Sequence, residues 1–188
     1  MKAIFNLLLI LIVSSNLAKT QTGLVLSVGM TMGFTDNPAT NPAREVISGF
    51  HGSISGRFGA DKWYLRPGLE LHKVKLQSQN VFDPFTTEAS LYMLKIPAQI
   101  GYRLIKSNPF SLRLVGGFQF SYIISIQDND IGLDHDTMKD TQLGTLIGAG
   151  IDLGALTVDL NFEKGFTELY TDTGYKSDYI FISLGFLF

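Results

Sequence analysis

The chain has 188 residues and no cysteine, with 15 Lys plus Arg against 17 Asp plus Glu and a formal charge of −2. Hydrophobic residues make up 45% and charged residues 17%, a balance that excludes disorder as the main state. The lack of cysteine excludes a disulfide framework and any thiolate metal site or nucleophile, and a slightly acidic chain lacks the basic surface that nucleic acid requires.

The first twenty residues read as an address. Met1-Lys2 is a basic start, residues 3–13 form an apolar run broken only by Asn6, and residues 14–21 are small and polar. That order is the secretory signal pattern. The run is too short for a transmembrane helix, which needs about 20 apolar residues. A signal peptide is therefore predicted over residues 1–20, with cleavage after Ala18 or Thr20, followed by one domain over 21–188. No later stretch is long and apolar enough for a spanning helix.

From there the chain alternates with period two. Over residues 23–35, Leu24, Leu26, Val28, Met30, Met32 and Phe34 oppose mostly Gly, Ser and Thr. Residues 46–58 set Val46, Phe50, Ile54 and Phe58 against His51, Ser53, Ser55 and Arg57. Residues 63–76 set Trp63, Leu65, Leu69 and Leu71 against Arg66, Glu70 and His72. In 90–104 the apolar row is Tyr92, Leu94, Ile96, Ala98, Ile100, Tyr102 and Leu104, against Lys95, Gln99 and Arg103. Residues 110–125 carry Phe110, Leu112, Leu114, Phe118, Phe120, Tyr122 and Ile124 against Arg113, Gln119 and Ser121. Residues 141–153, 156–162 and 177–188 follow the same rule, with Asp152, Asp159, Asn161 and Glu163 on the polar side. Side chains alternate across a strand, so each segment has an oily and a polar face.

The connections alternate too. Residues 36–45, 77–88, 126–140 and 165–176 are long, whereas 59–62, 105–109 and 154–155 are short and carry turn residues. Eight strands with long and short ends in alternation predict an all-β fold: an eight-stranded antiparallel up-and-down transmembrane β-barrel. Its chain termini belong on the periplasmic side. A soluble periplasmic lipocalin-like barrel has the same strand count but a wet exterior. The polar face here is too rich in Gly, Ser and Thr to be that exterior, and suits a crowded lumen. The oily face has Phe58, Trp63, Tyr92, Tyr102, Phe110 and Tyr122 near strand ends, as aromatic girdles require. Pro67 and Pro97 fall inside predicted strands, where each must open a bulge or a break in pairing.

The lumen candidates are Arg57, Arg66, Glu70, His72, Lys95, Gln99, Arg103, Arg113, Gln119, Asp152, Asp159, Asn161 and Glu163. Cations concentrate on strands two to five and carboxylates on six and seven. Buried charges demand partners, so a structural network paired across the lumen is expected. An enzyme would need a nucleophile and a base, and His72 with Ser78 and Glu70 is the nearest approach, as in a barrel-embedded lipid-modifying enzyme. Geometry has to decide such a group, and no catalytic residue is assigned. The acidic run Asp128-Asn129-Asp130-Ile131-Gly132-Leu133-Asp134-His135-Asp136 lacks the order of an EF-hand. It reads as a solvated outer loop, and neither a metal nor a cofactor is predicted.

Leu94-Lys95-Ile96-Pro97 followed by Tyr102, Gly116-Gly117-Phe118, Asp159-Leu160-Asn161-Phe162 and Gly185-Phe186-Leu187-Phe188 together resemble the PorT-like outer-membrane β-barrel family of Bacteroidota. The resemblance runs over the whole mature chain, mostly as pattern. It implies an outer-membrane location and no catalytic residues. Phe186 and the terminal Phe188 fit the aromatic last strand read by barrel-assembly machinery. The expected role is structural or surface-binding, with outer-membrane lipid, the assembly machinery and an envelope protein as partners.

Overall fold

The computed structural model describes residues 21–35, 45–59, 61–78, 90–127, 138–168 and 176–188. They form eight strands: β1 (Gln21–Thr35), β2 (Glu45–Gly59), β3 (Trp63–Ser78), β4 (Ser90–Lys106), β5 (Phe110–Ile126), β6 (Thr141–Leu153), β7 (Leu156–Glu168) and β8 (Lys176–Leu187). Each pairs antiparallel with its sequence neighbours, and β8 closes on β1. The seam is hydrogen-bonded to the last residue: Phe188 N–H donates to the Leu24 carbonyl at 2.8 Å, and Leu24 N–H to the Phe188 carbonyl at 3.0 Å. Closure leaves no unpaired edge, the condition for a sheet in hydrocarbon.

The strands outrun the periodic segments, and β7 continues to Glu168, six residues beyond the alternation that ends at Phe162. The short turns include residues 61–62, 107–109 and 154–155, with Asp61 (φ 65°) and Gly154 (φ 62°) in left-handed conformation. The four longer connections share the opposite end, which in such barrels faces outward. The leader expected over residues 1–20 and the acidic run 128–136 lie outside the described residues.

The oily rows cover the exterior. Val28 (67%), Ile147 (62%) and Phe118 (59%) are among many large apolar side chains left accessible, while Arg57, Lys95, Arg113 and Asp159 are enclosed. This inversion of a water-soluble protein sets aside the lipocalin-like alternative. Trp63 and Tyr102 pack at 4.7 Å between ring centroids near the short-turn end, where an aromatic girdle belongs.

Both prolines open the ladder without shifting register. Ser55 pairs with Gly68 and Phe58 with Leu65, and the two residues between on each strand, Pro67 among them, go unpaired. Pro67 pairs with Ala98 and Glu70 with Lys95, leaving Pro97 unpaired on that side. Each proline lacks a donor toward one neighbour only. Bulges occur elsewhere, as at Tyr92/Met93 and Arg103/Ile105.

The lumen corrects one expectation. Its outer end is apolar rather than polar: Val74, Leu91, Met93, Ile123, Met138, Leu146, Tyr179 and Phe181 form one buried cluster. These side chains, most of them on the inward parity of their strands, cap the polar interior beneath the longer connections.

A cation on the exterior at mid-strand must be far costlier than one near a rim. Ile147→Arg is expected to lower unfolding stability in phospholipid vesicles by about 2–4 kcal/mol, the cost of an arginine at a bilayer midplane. Leu153→Arg, beside a short turn, should cost about 1 kcal/mol or less. Urea titration followed by tryptophan fluorescence checks both, and equal costs would contradict the placement.

Candidate functional site

The lumen is the chemically dense part of the molecule, and it has two polar layers. The first lies near the short turns. Arg57 Nη1 donates to Asp152 at 3.0 Å and its Nη2 to Thr157 at 3.0 Å. Arg66 grips Asp159 with two parallel bonds of 3.0 Å and donates from Nε to Ser55 at 3.2 Å. Arg113, wholly buried, donates to Asp152 at 3.1 Å and also to Asp159 and Thr157. Three guanidiniums from β2, β3 and β5 thus meet two carboxylates from β6 and β7. Arginine suits this place because its planar fork can bind two carboxylates at once.

A glycine makes the central contact geometrically available. Arg113 and Asp159 both pair with Gly150 on the intervening strand β6. A Cβ at Gly150 would run into the Arg113 guanidinium and the Asp159 carboxylate. The missing side chain is the space in which the ion pair forms.

The second layer crosses the middle. Lys95 Nζ donates to Glu163 at 2.6 Å and lies 3.9 Å from the centroid of the Tyr179 ring, a cation–π contact in a desolvated setting. On the other wall a continuous chain of side chains runs from β8 to β3. Ser183 Oγ lies 2.8 Å from His51 Nε2. His51 Nδ1 and His72 Nδ1 each lie 3.0 Å from Thr31 Oγ1. His72 Nε2 lies 2.9 Å from Glu70 Oε2. The two imidazoles stack with centroids 4.7 Å apart. Here too a glycine opens the path, since His51 and Ser183 both pair with Gly29. A Cβ at Gly29 would meet His51 Cε1 at 2.6 Å.

Of the residues singled out in the sequence, Arg57, Arg66, Arg113, Asp152 and Asp159 share the first layer, and Glu70, His72, Lys95 and Glu163 the second. Gln99 and Asn161 are buried on the inward face. Gln119 is fully buried with neither end of its amide hydrogen-bonded. Arg103 stands apart, at the short-turn mouth. It donates to the Asp61 carbonyl and lies 4.9 Å from the Tyr64 ring centroid. Phe186 and Phe188 face outward at the seam. Thr31, His51 and Ser183 complete the second chain, and sequence spacing carried no sign of Thr31 or Ser183. The serine coupled to a histidine is therefore Ser183 through His51. Ser78, whose strand position pairs with Val46, lies at the far end of β3. Among the described residues no group of His, Asp and Glu is placed to hold a metal ion.

Residues 16–171 match the family described as outer membrane protein beta-barrel domain. The chain belongs to that family. It is an integral protein of the outer membrane, set in lipid. One solved structure agrees in architecture, and two others are similar to a lesser degree. Neisserial surface protein A (NspA) superposes with a TM-score of 0.51 at 11% identity, covering 88% of this chain and 97% of that one. Ail, the attachment invasion locus protein of Yersinia pestis, gives 0.49 at 12% identity over 88% and 98%. The outer membrane enzyme PagL gives 0.48 at 11% identity over 84% and 97%. At 11% identity, the likeness to NspA carries the fold alone. No curated protein matches the chain.

Removing one member of a buried ion cluster strands the others. Asp159→Asn leaves Arg66 and Arg113 short of a counter-charge and is expected to cost about 3–5 kcal/mol. Arg103→Ala, at the wet mouth, should cost under about 1 kcal/mol. Urea midpoints of the folded barrel in detergent check the ranking.

Proposed function

We propose that this barrel is a non-conducting, non-catalytic anchor that presents its outer connections to the cell's surroundings or to an envelope partner. The observation that carries the reading is the filled lumen. Arg113 alone ties β5 to β6 and β7 across the interior, and the apolar cluster caps the outer end. Eight strands leave an interior that side chains fill, so neither solute passage nor an internal substrate site is supported. The Ser183–His51 pair is turned inward and buried, away from lipid that could serve as substrate.

In this reading a partner is met by the connections between strands on the outer side, at residues 36–44, 79–89, 128–137 and 169–175. Loops carried on a rigid scaffold are where binding is usually found. In this reading residues 1–20 are removed on export, and Phe186 with Phe188 engages the assembly machinery. Kinship to PorT-like barrels is a finer assignment within the same proposal, supported by the Leu94–Pro97 strand and the Gly185–Phe188 ending.

The test has two arms. Purified barrel in planar bilayers is expected to show no steady conductance, and lipid A from cells with and without the gene is expected to have the same mass spectrum. Replacing residues 128–137 by a short turn, which keeps Met138 in the cap, should abolish binding to any captured envelope partner while leaving heat-modifiable gel mobility intact. Stable unitary currents or a changed lipid A would overturn the reading.

A further inference from the structure

Three of the four carboxylates in the two polar layers are gripped by Arg or Lys: Asp152, Asp159 and Glu163. Glu70 differs. Its ion-pair partner is the His72 imidazole. Its side chain also keeps 19% of its surface accessible, although it lies on the inward face and His72 beside it is at 0%. Room the size of a water molecule therefore adjoins Glu70 inside the wall of strands, next to the break that Pro97 opens between β3 and β4.

The chain behind Glu70 has a fixed direction. An ionised carboxylate only accepts, so His72 carries its hydrogen on Nε2. With His72 neutral, its Nδ1 must accept from the Thr31 hydroxyl. Thr31 oxygen then accepts from Nδ1–H of His51, and Nε2 of His51 accepts from the Ser183 hydroxyl. One charge at Glu70 thus sets the tautomer of His51, which it does not touch.

We propose that Glu70, His72, Thr31, His51 and Ser183 form a buried proton-binding site, filled through the water-sized space beside Glu70. The ligand is one proton. Whether it rests on Glu70 or on His72, the same reversal follows. The Thr31 hydroxyl turns to donate to His51 Nδ1, and the His51 hydrogen moves to Nε2, where it donates to Ser183. If the proton rests on His72, both ring nitrogens of His72 donate, to Glu70 and to Thr31. If it rests on Glu70, the acid donates to His72 Nε2 and His72 Nδ1–H donates to Thr31. In either arrangement all four hydrogen bonds survive, one proton has been gained, and Ser183 has changed from donor to acceptor.

The surrounding groups allow one proton and oppose a second. Lys95 on β4 pairs directly opposite Glu70 and is itself held by Glu163 of β7. Arg66 shares the inward face of β3 with Glu70 and is already bound to Asp159, while Lys75, buried toward the outer end of β3, has the opposite parity. Strand β8 contributes Phe181 and Ser183, β1 contributes Ser27 and β2 Ser53, all uncharged. Gln119, Ser121 and Gln142, polar side chains buried on the inward faces of β5 and β6, are uncharged as well. The stacked rings at 4.7 Å place two imidazolium charges face to face, with only Glu70 to balance them.

Nitrogen NMR of the protein in lipid nanodiscs, with ¹⁵N-labelled histidine, reads the tautomers directly. At alkaline pH the wild type is expected to carry hydrogen on Nδ1 of His51 and on Nε2 of His72. Lowering the pH should move the His51 hydrogen to Nε2. Thr31→Val, matched in shape, cuts the link, so His51 should hold its hydrogen on Nε2 at every pH while His72 keeps its alkaline form. Ser183→Ala leaves the link and should retain the switch. Hydrogen on Nε2 of His51 in the alkaline wild type overturns the proposal, and that spectrum decides even if a variant fails to fold. A pH-driven change of His51 that persists in Thr31→Val also overturns it.

Discussion

Hydrocarbon offers no hydrogen bonds, so every backbone group of a spanning sheet must find its partner within the sheet. That constraint accounts for most of this molecule. It requires β8 to meet β1, and the last residue, Phe188, supplies two of the bonds that close the seam. Closure at eight strands leaves an interior too narrow for water to fill. The inward side chains must then satisfy one another, which is why the lumen resolves into ion pairs, hydrogen-bonded chains and an apolar cap.

The two polar layers use the same device. In each, a glycine on a middle strand lets side chains from its two flanking strands meet over bare backbone. Gly150 does this for Arg113 and Asp159, and Gly29 for His51 and Ser183. These two glycines are therefore positional. Each marks a place where two larger neighbours make contact across three strands. Pairing at such sites satisfies charges that would otherwise be costly to enclose, and it ties distant parts of the sequence together, residues 57 to 152 and 66 to 159 among them.

Much of the fold was legible from alternation alone, because lipid on one side and a packed lumen on the other impose period two on every strand. The outward rows, the strand count and the long-and-short connections follow from that. The inward contacts were less legible. Arg57, Arg66 and Asp159 could be placed on the inner face, but which carboxylate each would meet depends on register around the barrel, and local sequence does not encode it. Arg103 has the inward parity of its strand and yet lies at the mouth, because its depth along the strand decides its surroundings. Met93, Leu91 and Phe181 share the inward parity and form a cap, since apolar residues fill a lumen as well as polar ones. Thr31 and Ser183 carry no pattern of their own; only the register that aligns them with His51 makes them part of a chain.

The most direct test of the inside-out arrangement is a cysteine scan along β5, in a chain with no cysteine of its own. Spin labels at residues 118 to 122 in lipid bilayers would be relaxed by oxygen, which partitions into acyl chains, and by a water-soluble nickel chelate. Labels at 118, 120 and 122 are expected to respond to oxygen and not to nickel, and those at 119 and 121 to neither. Nickel relaxation at the even positions, or no alternation at all, would contradict it.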